Sequence, residues 1–244
     1  LIDNNILKKI IDLIEIDNQE VIEIGPGTGN LTEKIIEKKP KKLILVEKDQ
    51  ILAKNLKKKF KKYSSLKIFN EDILKFDLEK QIKGSAIIVG NLPYNISTPL
   101  IFHLLSYTKE HLVHDMHFML QKEVVQRLAA APGTSDYGRL SIMAQYWCRV
   151  EPLFIVGPGA FNPPPKVDSA IVRLVPHDDL PFPTKNVPTF QNVVRQAFNM
   201  RRKTLRNTLK SMITAENIES LDIDAGLRPE RLSLEEYVKI ADFV

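Results

Sequence analysis

Through the first two thirds of the chain, short runs of consecutive apolar residues alternate with stretches in which apolar positions recur every three or four residues. The runs suit strands covered on both faces, and the longer recurrence suits amphipathic helices. Strands are predicted at Glu20–Ile24, Leu43–Glu47, Leu66–Asn70, Ala86–Gly90 and Met116–Leu120, with helices between them at Leu31–Lys39, Gln50–Lys62 and Thr98–Ser106. Such alternation implies right-handed crossovers and a largely parallel, doubly wound α/β sheet. Two later strands, Leu153–Val156 and Ala170–Val175, flank the stiff, proline-rich segment GPGAFNPPPKVDS. Residues 177–188 turn polar and proline-rich, as a linker does, and Phe190–Ile213, Asn217–Leu221 and Leu234–Phe243 beyond it are helical in pattern. The expected organisation is an α/β domain over 1–180 and a small all-helical domain over 181–244.

Composition narrows the class only a little. With 244 residues and 43% hydrophobic content the chain can bury a full core. No apolar run reaches the length of a membrane span, no signal peptide is visible ahead of the first helix, and the single cysteine, Cys148, excludes an intrachain disulfide. Cys148 sits in the apolar stretch MAQYWCRV and reads as a packed thiol in a reducing, cytoplasmic protein. The net charge of +5 leans toward a polyanionic partner.

Ligands of doubly wound sheets bind beyond the carboxyl ends of the strands, so the residues following each strand carry the chemistry. After the first strand comes EIGPGTGN, whose Gly25 and Gly27 allow a tight turn and close backbone approach to a ligand. This spacing is not the dinucleotide fingerprint, and on its own it serves a bare turn as well as a cofactor. The second strand ends at Glu47, followed by Lys48; an acid about twenty residues past the glycines can accept both hydroxyls of a ribose. The third ends in NEDIL, where Asp72 can accept an adenine amine while the Ile73 N–H meets a ring nitrogen. No GxxxxGK[ST] motif is present, so the ligand expected is a nucleoside without a polyphosphate tail, which S-adenosyl-L-methionine fits.

The fourth strand runs into Asn91-Leu92-Pro93-Tyr94. An amine conjugated to an aromatic base is a poor nucleophile because its lone pair is delocalised into the ring. The Asn91 amide oxygen and the Leu92 carbonyl can hold its hydrogens and favour a tetrahedral nitrogen, Pro93 fixes the turn, and Tyr94 offers the extruded base a stacking face. Methyl transfer is then an in-line displacement governed mainly by positioning.

Together, EIGPGTGNLT, VEKD, NEDIL, GNLPYNISTPLIFHLL, MLQKEVVQRL, YGRLSIMAQYW, AFNPPPKVDSAIVRL and FNMRRKTLRNTL resemble the ribosomal RNA adenine N6-dimethyltransferases over essentially the whole chain. The resemblance implies a Rossmann-like, S-adenosylmethionine-binding catalytic domain followed by a helical rRNA-binding domain. It implies cofactor contacts at Gly25, Glu47, Asp72 and Asn91, a catalytic pair in Asn91 and Tyr94, and Phe161 as a second aromatic against the flipped adenine. It also implies a basic arm and an F-G-Q-N-F-L-type segment over the cofactor, of which Leu1 matches the leucine. The expected substrate is a pair of adjacent adenosines in the 3′-terminal stem-loop of 16S rRNA, within the small (30S) subunit or its precursor, bound by a monomer. A 23S rRNA adenine methyltransferase and a non-catalytic assembly factor are the alternatives.

Arg195, Arg201, Arg202, Lys203 and Arg206 form a charge run that reads as a solvated helix face alone and as an RNA-binding helix in this context. The lysines between 54 and 62 read as a solvated crossover helix, and His103, His111, His114 and His117 lack the partners of a standard metal site. Every basic residue through Lys83 is lysine and arginine becomes the commoner base after Gly84, a break that a junction of two related sequences or chance with local function would produce.

Overall fold

The computed structural model describes residues 1–93, 96–109, 111–200 and 202–244. Seven strands form one sheet: β1 (Glu20–Ile24), β2 (Lys42–Val46), β3 (Leu66–Phe69), β4 (Ala86–Asn91), β5 (Val113–Gln121), β6 (Cys148–Val156) and β7 (Ser169–Pro176). Their order is β3-β2-β1-β4-β5-β7-β6, parallel from β3 to β5, with β7 antiparallel to β5. Ahead of β1 lies α1 (Asn4–Asp12), while α2 (Asn30–Glu37), α3 (Gln50–Lys59) and α4 (Ser97–Leu105) are the crossovers that join β1 to β2, β2 to β3 and β4 to β5.

The predicted strands fall within a residue or two of β1 to β4 and β7, whereas β5 and β6 run longer. On one sheet face Val21, Leu43, Leu45, Ile87, Val89 and Ile171 pack with Ile10 and Ile11 of α1, Ile35 of α2 and Leu56 of α3. Helix starts are set locally: Asp3 caps α1 by accepting the Asn5 and Ile6 N–H groups, and Asp49 caps α3 in the same way. Where β4 passes β1, a Cβ on Gly90 would stand 2.7 Å from the Ile24 carbonyl, so only glycine fits that approach.

Contacts divide the chain into two units, Leu1–Val125 with Val150–Pro176, and Gln126–Arg149 with His177–Val244. The second unit is therefore not the C-terminal segment alone, as the expected boundary at 180 had it. It contains the end of α5 (Lys122–Leu128) together with α6 (Arg139–Trp147), α7 (Val187–Phe198), α8 (Leu205–Thr208), α9 (Ala215–Glu219) and α10 (Leu234–Phe243). Side chains explain the membership: the Tyr146 ring of α6 lies 4.6 Å from that of Phe190 on α7, and the Gln145 amide donates to the Leu128 and Ala130 carbonyls. The α6 segment escaped sequence reading because Ile142, Met143, Ala144, Tyr146 and Trp147 are all buried, which leaves no polar face to mark a period.

The helix expected over 190–213 is broken between α7 and α8. Phe190, Val193, Val194 and Ala197 make the buried stripe of α7, which ends at Phe198 with Asn199 following it. Met200 is exposed where that stripe would continue, and a helix resumes at Leu205 with Thr204 at its N-cap.

Candidate active site

The loop from β1 to α2 builds the first wall. Gly27 has φ +59, a left-handed conformation that a side chain would strain, and its N–H donates to Glu47 Oε2 at 3.0 Å. The other oxygen, Oε1, accepts from the Asp49 N–H at 2.9 Å. Glu47 is only 7% exposed, so two backbone donors hold its carboxylate at the end of β2.

Beside the loop lies a cavity of about 120 Å³. Of the residues singled out from sequence, Leu1, Gly25, Gly27 and Asn91 line it; Glu47, Lys48, Asp72 and Ile73 do not. Glu47 joins the cavity through Gly27. Farther along the rim, Lys48 Nζ pairs with Asp72 Oδ2 at 2.8 Å, and Asp72 Oδ1 accepts the Leu74 N–H. The Lys48 bond, then the Leu74 N–H, holds the Asp72 carboxyl below the usual range, so it is an ionised acceptor at neutral pH. The Ile73 side chain is buried against the core.

Asn91 is the last residue of β4 and half-buried; its register partner on β5 is Met119. Leu92 is buried, its N–H donating to the Met119 carbonyl at 3.1 Å, and the exposed Pro93 accepts the Ile96 N–H at the entry to α4. The backbone on both sides of the Leu92 carbonyl is thus tied down. Tyr94 lies outside the described residues.

Phe161 follows a short turn, Pro158–Ala160, and is half-buried against the core. That turn bonds to the start of the chain: the Ile2 N–H donates to the Ala160 carbonyl at 2.9 Å, while the Asn30 side chain donates to the Leu1 carbonyl at 2.9 Å. Leu1, the glycine loop and the loop carrying Phe161 form one connected wall.

Among the lining residues not singled out as site residues from sequence are the ionisable Glu23 and His117. Glu23 is 2% exposed, and Oε2 accepts the Thr32 hydroxyl at 2.6 Å. Burial pushes its carboxyl up to about 8; the Thr32 bond opposes this and the charge of Glu47 adds to it. His117 Nε2 lies 3.1 Å from Asp115 Oδ2, outside hydrogen-bond geometry, so both ring nitrogens lack hydrogen bonds among the described residues. Arg173 grips Asp115 through both Nε and Nη2. The alternation of β1 and β5 could have pointed to Glu23 and His117, since Glu23 shares a core-facing side with Val21 and His117 shares one with Met119.

The candidate RNA contacts belong to the second unit. Arg195 is exposed on α7 with its guanidinium donating to Asn192 Oδ1 at 2.7 Å. Arg202 and Lys203 are exposed in the turn after α7, and Arg206 on α8 stands 4.0 Å from Glu219. They do not share one helix face, because the helix is broken there; Arg201 lies outside the described residues. Among the described residues no group of three or more His, Cys, Asp or Glu side chains is placed to hold a metal ion, and no helix is long and apolar enough to cross a membrane.

A glycine-looped parallel sheet with an acid after β2 and a carboxamide after β4 defines a methyltransferase of the Rossmann-like type. The structure superimposes on a dimethyladenosine transferase from Plasmodium falciparum with a TM-score of 0.82, at 30% identity, covering 98% of this chain and 95% of that one. The fold also matches the 23S rRNA methyltransferase ErmE, at 22% identity and a TM-score of 0.73, covering 99% and 98%. Residues 1–244 match the ribosomal RNA adenine dimethylase family. The ribosomal RNA small subunit methyltransferase A of Marinobacter nauticus is 56% identical, over 99% of this chain and 87% of its own length. That of Pseudomonas putida is 54% identical, over 98% and 90%. The chain belongs to the ribosomal RNA adenine dimethylase family and is an rRNA adenine dimethyltransferase.

Proposed function

We propose that this enzyme dimethylates the N6 amines of two adjacent adenosines in the 3′-terminal stem-loop of 16S rRNA, drawing methyl groups from S-adenosylmethionine during assembly of the small ribosomal subunit. The observation that carries this is the placing of Asn91 on the wall of the cavity that the glycine loop also lines. The relatives that share more than half of its residues over nearly the full chain are named for the small subunit, which favours 16S over 23S rRNA.

The residues fit the methyl donor. Among the described residues no lysine or arginine lines the cavity, so nothing there invites a phosphate, while Glu47 and Asp72 supply fixed acceptors for a ribose and an adenine amine. When bound, the donor supplies a methyl group on a positively charged sulfur. The Asn91 side-chain oxygen and the Leu92 carbonyl accept the two hydrogens of the target amine, which draws its lone pair out of conjugation. Because the Leu92 N–H is already bonded to Met119, that carbonyl needs no reorganisation as charge develops on the nitrogen. Tyr94 and Phe161 are assigned to the two faces of the extruded base. Leu1 closes the cavity over the donor, with Lys48 holding Asp72 in its acceptor role. The basic residues Arg195, Arg201, Arg202, Lys203 and Arg206 contact rRNA phosphates.

The test is methyl transfer from labelled S-adenosylmethionine to unmethylated 30S subunits, with 23S rRNA alongside. Label in two adjacent N6,N6-dimethyladenosines of 16S rRNA is expected; label in 23S rRNA alone, or in neither, overturns the reading.

A further inference from the structure

Among the described residues the cavity is lined by one carboxyl group, and the mechanism above does not use it. Glu23 reaches the cavity from β1, between the buried Ile22 and Ile24, and is 2% exposed. Thr32 donates to Oε2, so when the group is protonated its proton resides on Oε1, which has no hydrogen bond among the described residues. The charges and dipoles around it come from several elements. Glu47 stands at the end of β2, His117 on β5 and Thr32 on α2, while the apolar Leu1, with Leu7 and Ile10 of α1, also lines the cavity. Among the described residues no lysine or arginine lines the cavity. A lone ionised carboxylate in such a place is costly, and a cation arriving beside it removes that cost.

We propose that Glu23 couples ligand binding to proton release: the Oε1–H bond breaks, the proton leaves to solvent, and the carboxylate stays behind to face a cationic centre of the ligand. The proposal rests on the reading of this cavity as the S-adenosylmethionine site. That ligand carries two cationic centres, a sulfonium and an ammonium. S-adenosylhomocysteine keeps only the ammonium, and 5′-methylthioadenosine has neither. The coupling makes affinity for the charged donor depend on pH in a way that affinity for an uncharged nucleoside does not. Since burial holds the free carboxyl near 8, the protonated form dominates at pH 7, and binding of a cation there displaces nearly one proton.

Titration calorimetry of the whole chain in buffers of different ionisation enthalpy counts the protons. At pH 7, S-adenosylmethionine is expected to release about one proton. Its affinity is expected to rise about tenfold per pH unit below about 8 and to level off above. 5′-Methylthioadenosine should release none. Release with S-adenosylhomocysteine as well assigns the ammonium as the partner, and release with S-adenosylmethionine alone assigns the sulfonium; either supports the coupling. Glu23→Gln should abolish the release and His117→Gln should retain it. Should Glu23→Gln fail to fold, infrared difference spectra of the unaltered protein replace it, with loss of a protonated-carboxyl band on adding S-adenosylmethionine expected. Binding of S-adenosylmethionine with heats independent of buffer, equal release with 5′-methylthioadenosine, release that survives Glu23→Gln, or an unchanged infrared band overturns the proposal. Absence of binding by all three ligands overturns instead the assignment of the cavity.

Discussion

In the sheet unit the polar groups that matter are buried and already bonded. Both oxygens of Glu47 accept backbone N–H groups, Thr32 holds one oxygen of Glu23, and Arg173 grips Asp115 with two donors. In the helical unit the corresponding candidates, Arg195, Arg202, Lys203 and Arg206, stand in solvent on a helix, a turn and a second helix. The difference follows from the tasks assigned to them. Drawing a lone pair out of an aromatic system requires acceptors fixed before the substrate arrives, because any reorganisation adds to the barrier. Holding a phosphate backbone requires only cations that reach it and shed counterions, and long solvated side chains do that at little cost to folding.

The sharpest way to break this contrast is Asn91→Ala. Turnover on unmethylated small subunits should fall about 10²–10³-fold while rRNA affinity changes less than about twofold. Single-turnover methylation and filter binding measure the two; an equal loss in both would place Asn91 among the rRNA contacts.

Gly90→Ala tests how rigidly the sheet unit is built. The new methyl would meet the Ile24 carbonyl at 2.7 Å, so the β1–β4 pair must part. A loss of about 2 kcal/mol in urea unfolding is expected, and an unchanged midpoint would show that the strands yield freely.

The pH dependence of stability sharpens the picture of Glu23. Its folded pKa is raised from 4.5 to about 8, so its contribution is full below the unfolded value and is lost as pH rises through the folded one. Between about pH 5 and 8 the wild type should therefore lose about 1.4 kcal/mol per unit relative to Glu23→Gln, and nothing further above that window. Parallel curves for the two proteins would mean that the carboxyl is not protonated in the fold.

The smallest effect belongs to the helical unit. Replacing Arg202 and Lys203 together with alanine should weaken rRNA binding several-fold and reduce the slope of log affinity against log salt by about 1–2. A fall in the methylation rate at saturating rRNA, with the salt slope intact, would move these side chains from the phosphates to the chemistry.

Much of the site could be read from the chain because it is built from contiguous strand ends. The turn after β1, the acid after β2, NEDIL after β3 and NLPY after β4 follow runs whose period is plain, and the parallel order then sets them along one rim. Glu23 and His117 were harder, since their significance depends on a cavity between α1 and the sheet, which no local pattern encodes. The union of Gln126–Arg149 with the C-terminal helices was likewise invisible, being made by Tyr146 stacking on Phe190 across more than forty residues of chain.

By itself, then, the order of residues determined the alternating elements, the glycines that allow a tight loop, and which acids and amides end each strand, because these depend on periods and neighbours a few residues apart. Tertiary structure alone decided that Glu47 is pinned by Gly27, that Lys48 ties Asp72, and that the basic run is split by a turn. It also decided that a carboxyl on β1 sits neutral in the wall of the cavity, because burial and the charges of distant segments set proton affinity, and neither exists until the chain has folded.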